Sequence, residues 1–392
     1  MNAVASVTQA GELRSARLES VRAVAALSVL VGHLVGRTLN GAAGDADLIE
    51  RLGFGGSFGV YLFFALSGYL LFWPFVKHAF ADGKRIDLRR YAANRALRIL
   101  PLYYVVLVAY LVVLQDGGTA KQWLLFATFG ENFSTDTILT VNPVLWSVVI
   151  KVHFYLLLPL LALLLIRVAA GSPERLLAVI AALGLASFAL RWFTLHQDPT
   201  PDPYLRYSLV SCFMFFAPGM VLALIRLLWE KRLPRWLAGP LRAPEPWLLG
   251  AVVLWWLVAA GANRGYLMAA ASFLFLGACV LPLRPSPLLR VLDWRPLALV
   301  GVVSYSIYLW HALVVIELAD WLDVSGIWAL LAVMVPAVLA VSAVSYVVIE
   351  RPFLRLRRRW GSPPAPEPPA ADRRLGTGPR SSAGSERAVS TR

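Results

Sequence analysis

Long apolar runs constrain this chain more than any other feature. An α-helix needs about 20 predominantly apolar residues to cross a hydrocarbon core of ~30 Å. Ten runs approach that length. They are Val21–Gly36, Gly56–Phe75, Ile99–Leu114, Leu145–Ile166, Leu176–Leu195, Leu209–Leu228, Trp247–Ala260, Tyr266–Leu283, Leu297–Leu318 and Ile327–Ile349. A backbone that crosses lipid has to form its hydrogen bonds within the protein. We therefore expect an all-α, polytopic transmembrane bundle of about ten helices.

The composition agrees with a membrane protein. Hydrophobic residues make up 58% of the chain and charged residues 15%, whereas soluble proteins average about 45–50% and about 25%. The formal net charge of +14 would suggest a nucleic-acid partner in a soluble protein. Here the basic residues concentrate in alternate loops, so membrane topology explains them better and we expect no nucleic-acid partner.

The distribution of Lys and Arg predicts the orientation. Cytoplasmic loops of membrane proteins carry an excess of basic residues. The segment from Lys77 to Arg98 holds seven Lys or Arg, whereas the loops on either side of it in the alternation hold one or two. We therefore predict cytosolic N- and C-termini and a multi-pass protein of the cell inner (plasma) membrane.

Three segments are expected along the chain. Residues 1–19 form a cytosolic N-terminal segment, residues 20–355 the membrane domain, and residues 356–392 a Pro- and Arg-rich cytosolic tail. The tail has five prolines between Pro363 and Pro369 and few apolar residues. Because it cannot bury enough apolar surface to fold, we expect it to be disordered.

Ionisable side chains within the apolar runs are functional candidates, because charge is costly at bilayer depth. His33 lies in the first run, ~20 Å from its cytosolic edge. Arg22 lies eleven residues earlier, close to three helical turns, so it shares the face of His33 near the cytosolic mouth. The alternative is a histidine that only hydrogen-bonds between helices.

Two further runs bring similar groups to nearly the same depth. His311 lies in the ninth run, ~20 Å from its cytosolic end, and Lys151 and His153 lie in the fourth run, ~10 Å below the outer surface. The agreement of three helices favours a shared polar cavity in the outer half of the membrane over isolated interhelical contacts.

Arg95 and Arg98 precede the third run. They are three positions apart, so both side chains lie on the same face of a helix. They have two open readings, a phosphate clamp on the cytosolic side or simple anchors of the orientation. The sequence has no phosphate-binding glycine loop and no HExxH motif. A GxSxG match at Gly55 to Gly59 leads into an apolar run, not the strand–turn–helix context that a serine nucleophile needs. Cys212 and Cys279 each lie inside an apolar run. We therefore predict no metal site, no serine triad and no disulfide framework.

Six motifs occur in order along the chain. They span Arg17 to His33, Gly59 to Leu70, Arg95 to Tyr104, Leu145 to Tyr155, Ser304 to His311 and Ile349 to Phe353. Together they resemble the acyltransferase 3 family of integral membrane O-acyltransferases, over roughly residues 15–355.

The resemblance implies a bundle that moves an acyl group, usually acetyl, from acyl-CoA to a hydroxyl of a carbohydrate or a glycosylated small molecule. Acyl-CoA would be a co-substrate, with no permanently bound cofactor, and a separate extracytoplasmic transferase is a possible partner. The resemblance makes His33 catalytic and gives donor binding to Arg22, Arg95 and Arg98. The expected pocket residues are Ser67, Lys151, His153, Ser304, Tyr305 and His311. Our hypothesis is that His33 acts as general base on the acceptor hydroxyl.

Two positions depart from the family pattern. Lys151 stands where the family commonly has Glu, so a carboxylate that could orient His33 is replaced by a cation. Tyr61 stands where many members have Asp, at a position that looks permissive.

Two other readings therefore stay open. The chain could be a transporter or lipid-handling bundle, or an inactive family member because of Lys151. Transporters often show inverted repeats or paired broken helices, and the sequence shows neither, which favours the transferase.

Overall fold

A computed structural model shows the chain as an all-α protein, which confirms the predicted fold class. The residues that the structure describes are 2–39, 53, 55–81, 83, 85–114, 116–195, 203–231, 239–262, 265–324 and 326–361. No strand occurs within these ranges. The predicted disordered tail over 356–392 lies outside them from residue 362 onwards.

The helices follow the predicted runs closely. In chain order, the α-helices of eight or more residues are α1 (Asn2–Leu39), α2 (Phe58–Phe80), α3 (Leu88–Val108), α4 (Ala120–Ala127), α5 (Leu145–Val168), α6 (Pro173–Leu195), α7 (Leu209–Lys231), α8 (Glu245–Leu257), α9 (Gly265–Val280), α10 (Arg295–Val302), α11 (Ser304–Leu313), α12 (Ile327–Ser345) and α13 (Arg351–Gly361). Short π-helical segments continue four of them, over Ala109–Leu114, Val258–Ala262, Val314–Leu318 and Tyr346–Glu350.

Seven helices in the described ranges are long and apolar enough to cross a membrane, and a bent pair makes up to eight. Two shorter apolar helices, Glu245–Ala260 and Gly265–Val280, contain α8 and α9 respectively. The ten predicted runs thus correspond to the seven long helices, the bent pair and the two shorter helices. The orientation of the termini stays a prediction.

The ninth predicted run differs most from expectation. The sequence indicates one helix over Leu297–Leu318, but the structure has a bend of 64° between Arg295–Val302 and Ser304–Trp321. Val303, with a ψ of 8°, interrupts the helical hydrogen bonding. Gly301 permits the close approach of α1 here, because a Cβ on it would lie 1.8 Å from the Glu19 carbonyl oxygen. The bend starts α11 inside the bundle, where Ser304 is buried.

Helices α2 and α7 pack backbone against backbone in the core. A Cβ on Gly219 would lie 1.7 Å from the Ala65 carbonyl oxygen, and a Cβ on Gly68 would lie 2.2 Å from the Phe216 carbonyl oxygen. Small residues allow such contact where lipid supplies no hydrophobic drive for helices to associate. Phe216 also stacks on Phe154 of α5 at 4.0 Å between ring centroids, so this pair holds α5 in place.

Candidate functional site

A cavity of about 100 Å³ lies between α1, α2, α3, α5 and α11. Its polar wall residues are Arg22, Ser67, Arg95, Arg98, Lys151, Tyr155, Ser304, Tyr305 and Tyr308. Seven of the ten predicted site residues therefore meet in one place, from five helices that lie far apart in the sequence. Among the described residues, no acidic side chain is part of this wall.

One end of the cavity is rich in arginine. Arg22 forms an ion pair with Glu19, one turn earlier on α1. Arg98 lies in the electrostatic range of Arg22 and of the buried Glu350. Ser306 donates a hydrogen bond to Glu350. Because three guanidinium groups and no acidic side chain of the described residues line the cavity, this end suits an anion such as phosphate.

Hydroxyl groups fix the middle of the cavity. Ser67 donates to the carbonyl oxygen of Phe63 at 2.8 Å, and a 3.1 Å hydrogen bond joins its Oγ to the Tyr155 Oη. Tyr305 donates to the Ile99 carbonyl oxygen at 2.9 Å, which ties α11 to α3. These bonds hold polar groups in one orientation at bilayer depth.

Lys151 lies at the other end of the cavity among aromatic rings. Its ammonium nitrogen is 4.7 Å from the ring centroid of Phe63 and 4.7 Å from that of Tyr308. The Tyr308 hydroxyl lies 2.6 Å from the Ser147 Oγ, a hydrogen bond that anchors the ring to α5. Phe63 and Tyr308 meet edge to face at 5.7 Å.

The two predicted histidines of α1 and α11 form a pair outside this cavity. The rings of His33 and His311 are 4.8 Å apart, in an edge-to-face arrangement. The Nδ1 of His33 lies 2.9 Å from the Val29 carbonyl oxygen, and the Nδ1 of His311 lies 2.7 Å from the Tyr308 carbonyl oxygen. A carbonyl only accepts, so in each neutral ring Nδ1 carries the proton and Nε2 has the free lone pair.

The two imidazoles differ in their surroundings. His33 is exposed, whereas His311 is fully buried and its Nε2 has no hydrogen-bond partner. His33 does not line the cavity that holds the arginines. Tyr308 lines that cavity and lies 5.7 Å from the His311 ring, so its ring lies between the cavity and the histidine pair. Phe63 lines the cavity beside Tyr308. We call these two rings the partition.

His153 lies apart from both groups, although it was expected in the pocket. Its Nε2 lies 3.0 Å from the Phe129 carbonyl oxygen, and its ring stacks on Phe133 at 5.6 Å. Two residues are about 200° apart around a helix, so His153 faces away from the direction that Lys151 takes. Its observed contacts are with the loop between α4 and α5.

Sequence reasoning missed three residues of interest. Tyr308 precedes His311 by three positions and Tyr155 follows Lys151 by four, so helical spacing places each beside a predicted residue. Glu131, in the loop between α4 and α5, is 1% exposed and neither carboxyl oxygen has a hydrogen-bond partner. Burial raises the pKa of this carboxyl to about 8. No sequence signal distinguishes Glu131 from an ordinary loop residue.

No group of three or more His, Cys, Asp or Glu that could hold a metal ion occurs in the described part of the chain. The site instead offers cationic groups, hydroxyls and imidazole. These groups can bind an anionic ligand and accept a proton, which is the chemistry of acyl or phosphoryl transfer.

Comparison with known proteins assigns the domain. A family model described as an acyltransferase domain matches residues 15–349. A Bacillus subtilis protein, named provisionally as a peptidoglycan O-acetyltransferase, is 30% identical over 86% of this chain and 54% of its own length. The Listeria monocytogenes peptidoglycan O-acetyltransferase is 24% identical over 86% of this chain and 55% of its own length.

A shorter relative is covered more fully. Nodulation protein 10 of Rhizobium leguminosarum is 28% identical over 76% of this chain and 82% of its own length. The chain therefore spans about half the length of the two peptidoglycan relatives but most of this one. No solved structure matches the chain.

Proposed function

The chain belongs to the acyltransferase 3 family, and on that premise we propose that it is a membrane O-acyltransferase. It moves an acyl group from acyl-CoA to a hydroxyl of a carbohydrate or glycosylated acceptor. The observation that carries the proposal is the convergence of Arg22, Arg95 and Arg98 on one small cavity with a histidine pair beyond it. The names of two relatives, which specify peptidoglycan, support a carbohydrate acceptor.

The arginine end of the cavity binds the phosphates of CoA. Guanidinium groups match phosphate oxygens in shape and charge. The N-terminus of α11 lies at Ser304 on the same wall, and the first turn of a helix adds partial positive charge. The predicted orientation places this end towards the cytosol of the inner membrane, where acyl-CoA is available. Acyl-CoA is thus a co-substrate in this scheme.

His33 acts as the general base. Its Nε2 lone pair accepts the proton of the acceptor hydroxyl while the hydroxyl oxygen attacks the thioester carbonyl carbon. The carbon–sulfur bond then breaks, and the CoA sulfur leaves as a thiol after it takes up a proton. His311 limits the movement of His33 through ring contact, and the Nδ1 bond to Val29 keeps the reactive tautomer.

The partition has to open for this reaction, because it separates the donor cavity from His33. Tyr308 is the part of the wall that both groups share. Transfer through a separate extracytoplasmic transferase is a variant of the same proposal.

A transporter is less well supported. The broken helix at Val303 resembles the discontinuous helices of transporters, which commonly occur in pairs related by internal repeats. The described residues contain one bent pair of helices. The first turn of its second helix, α11, contributes to the donor cavity. Family membership favours the transferase.

The test measures release of free CoA in inverted membrane vesicles that enclose a glycan extract and receive short acyl-CoA donors from outside. Replacing His33 with Ala is expected to lower the rate by about 10² to 10⁴-fold. His153→Ala is the matched control, since this histidine lies away from the site, and it should keep most of the wild-type rate. Wild-type vesicles that bind acyl-CoA but release no more CoA than the His33→Ala vesicles would refute the proposal.

A further inference from the structure

Lys151 has surroundings unlike those of the other basic residues in the cavity. Its ammonium nitrogen lies 4.7 Å from Phe63, 4.7 Å from Tyr308 and 5.4 Å from Phe64, measured to the ring centroids. Aromatic faces attract cations, and the attraction strengthens when water is excluded. The three rings therefore offset part of the cost of burying the charged form of Lys151, which lines the cavity.

No carboxylate of the described residues forms an ion pair with Lys151. Two acidic residues near the arginine end have other partners, since Glu19 pairs with Arg22 and Glu350 accepts a hydrogen bond from Ser306. An ammonium group taken out of water without an anion is strongly destabilised, and aromatic rings offset only part of that. The Lys151 end of the cavity therefore favours a ligand that brings its own anion.

The position of Lys151 limits which part of the ligand can carry the anion. Seen from the arginines, Lys151 lies farther into the cavity than the hydroxyl groups. Tyr308 is one helical turn past Ser304 on α11, and Phe63 is one turn before Ser67 on α2, so the lysine level is roughly 6 Å from the hydroxyl level. A donor with its phosphates at the arginines and its thioester near Ser67 directs its acyl group at Lys151. The distance of one helical turn between the two levels leaves room only for a short acyl chain.

We propose that Lys151 binds the free carboxylate of a short dicarboxylic acyl group, so that the preferred donor is a CoA half-thioester such as succinyl-CoA. This inference rests on the proposed transferase function and narrows its substrate class. The transfer step is unchanged: the acceptor oxygen forms the new ester, the thioester carbon–sulfur bond breaks, and the second carboxylate stays ion-paired with Lys151.

A carboxylate on the acceptor would present the same chemistry to Lys151. The partition argues for the donor, because Lys151 lies on the side of Tyr308 that faces the arginines. Binding measured without any acceptor separates the two sources, since only a carboxylate on the donor can then contribute.

The experiment compares dissociation constants of succinyl-CoA and acetyl-CoA for the full-length protein in detergent, by isothermal titration. We expect the wild type to bind succinyl-CoA at least about tenfold more tightly, as a buried charged hydrogen bond would give. In Lys151→Met the ratio of the two constants should fall towards one, while Lys151→Arg should keep part of it. Lys121→Met is the control, because Lys121 is exposed and pairs with Asp136, and it should show the wild-type ratio.

Three results would overturn the inference. They are equal affinities in the wild type, a preference for succinyl-CoA that persists in Lys151→Met, and a Lys151-dependent gain seen only with an acidic acceptor. A wild type that binds and turns over acetyl-CoA without preferring succinyl-CoA disproves this inference and leaves the transferase proposal intact. A wild type that binds neither thioester contradicts the transferase proposal itself.

Discussion

Replacing Glu131 with Gln is expected to stabilise the protein as the pH rises. Glu131 lies in the loop between α4 and α5, outside the spanning helices, with 1% of its surface exposed and both carboxyl oxygens unpartnered. Burial disfavours the charged form and raises the pKa of this carboxyl from 4.5 to about 8. Gln has nearly the same shape and cannot ionise, so the substitution removes the titration and little else.

The size of the effect follows from the difference between the folded and unfolded states. An unfolded chain releases the Glu131 proton near pH 4.5, whereas the folded protein keeps it until about pH 8. Between these values the folded state binds more protons, so its stability falls as the pH rises. Each pKa unit corresponds to about 1.4 kcal/mol, so the wild type should lose on the order of 3 kcal/mol between pH 5 and pH 8 and little more above that.

The assay is thermal unfolding of both proteins in a non-ionic detergent, followed by the fluorescence of the 14 tryptophans over this pH range. The advantage of Glu131→Gln should be small at pH 5 and reach several degrees by about pH 8. Asp136→Asn is a control in the same loop. The hydrogen bond and ion pair with Lys121 lower the pKa of Asp136. Asp136 therefore stabilises the folded protein at neutral pH, and this stabilisation is lost in acid. An advantage of Glu131→Gln that is equal at both pH values would refute the reasoning.

Two other substitutions test the packing and the partition. Gly219→Ala should lower the free energy of unfolding by about 3 kcal/mol, because its Cβ would lie 1.7 Å from the Ala65 carbonyl oxygen. A Cβ on Gly36 meets nothing within 4 Å, so size-exclusion profiles after heating should show loss of folded Gly219→Ala but not of Gly36→Ala. Tyr308→Ala should raise CoA release without acceptor several-fold, because water then reaches the donor cavity from the His33 side, and Ser147→Ala, which removes only the 2.6 Å bond to Tyr308, should show a smaller rise. Acceptor-free rates equal to that of the wild type in both variants would contradict the assigned role of the partition.

The membrane helices were predictable because their signal is local. A spanning helix needs a continuous apolar run, which the sequence displays directly. The convergence of Arg22, Arg98 and Lys151 was partly predictable too, because the distance of each residue from a helix end gives its depth in the membrane. Depth does not give direction around the helix axis. For that reason Lys151 and His153 were expected together, although the helical repeat already places them on opposite faces.

The bend at Val303 could not be read from the sequence. The apolar pattern continues through it, and Val is not a helix breaker. The interruption depends on a single ψ angle and on the contact of Gly301 with the backbone of α1, which exists only when α1 is in place. Its consequence is large, because the bend brings Ser304, Tyr305 and Tyr308 to one cavity wall.

The partition shows why Lys151 need not indicate an inactive protein. A carboxylate at this position would have to reach past Tyr308 to orient His33, and the structure already fixes His33 through the Val29 carbonyl oxygen and the ring of His311. The orientation of the base is thus provided without help from α5. Lys151 instead faces the cavity that contains the arginines. A cation there changes which ligand is bound and does not alter the tautomer of His33. The departure from the family pattern therefore affects which acyl donor is bound, and it does not remove the capacity for transfer.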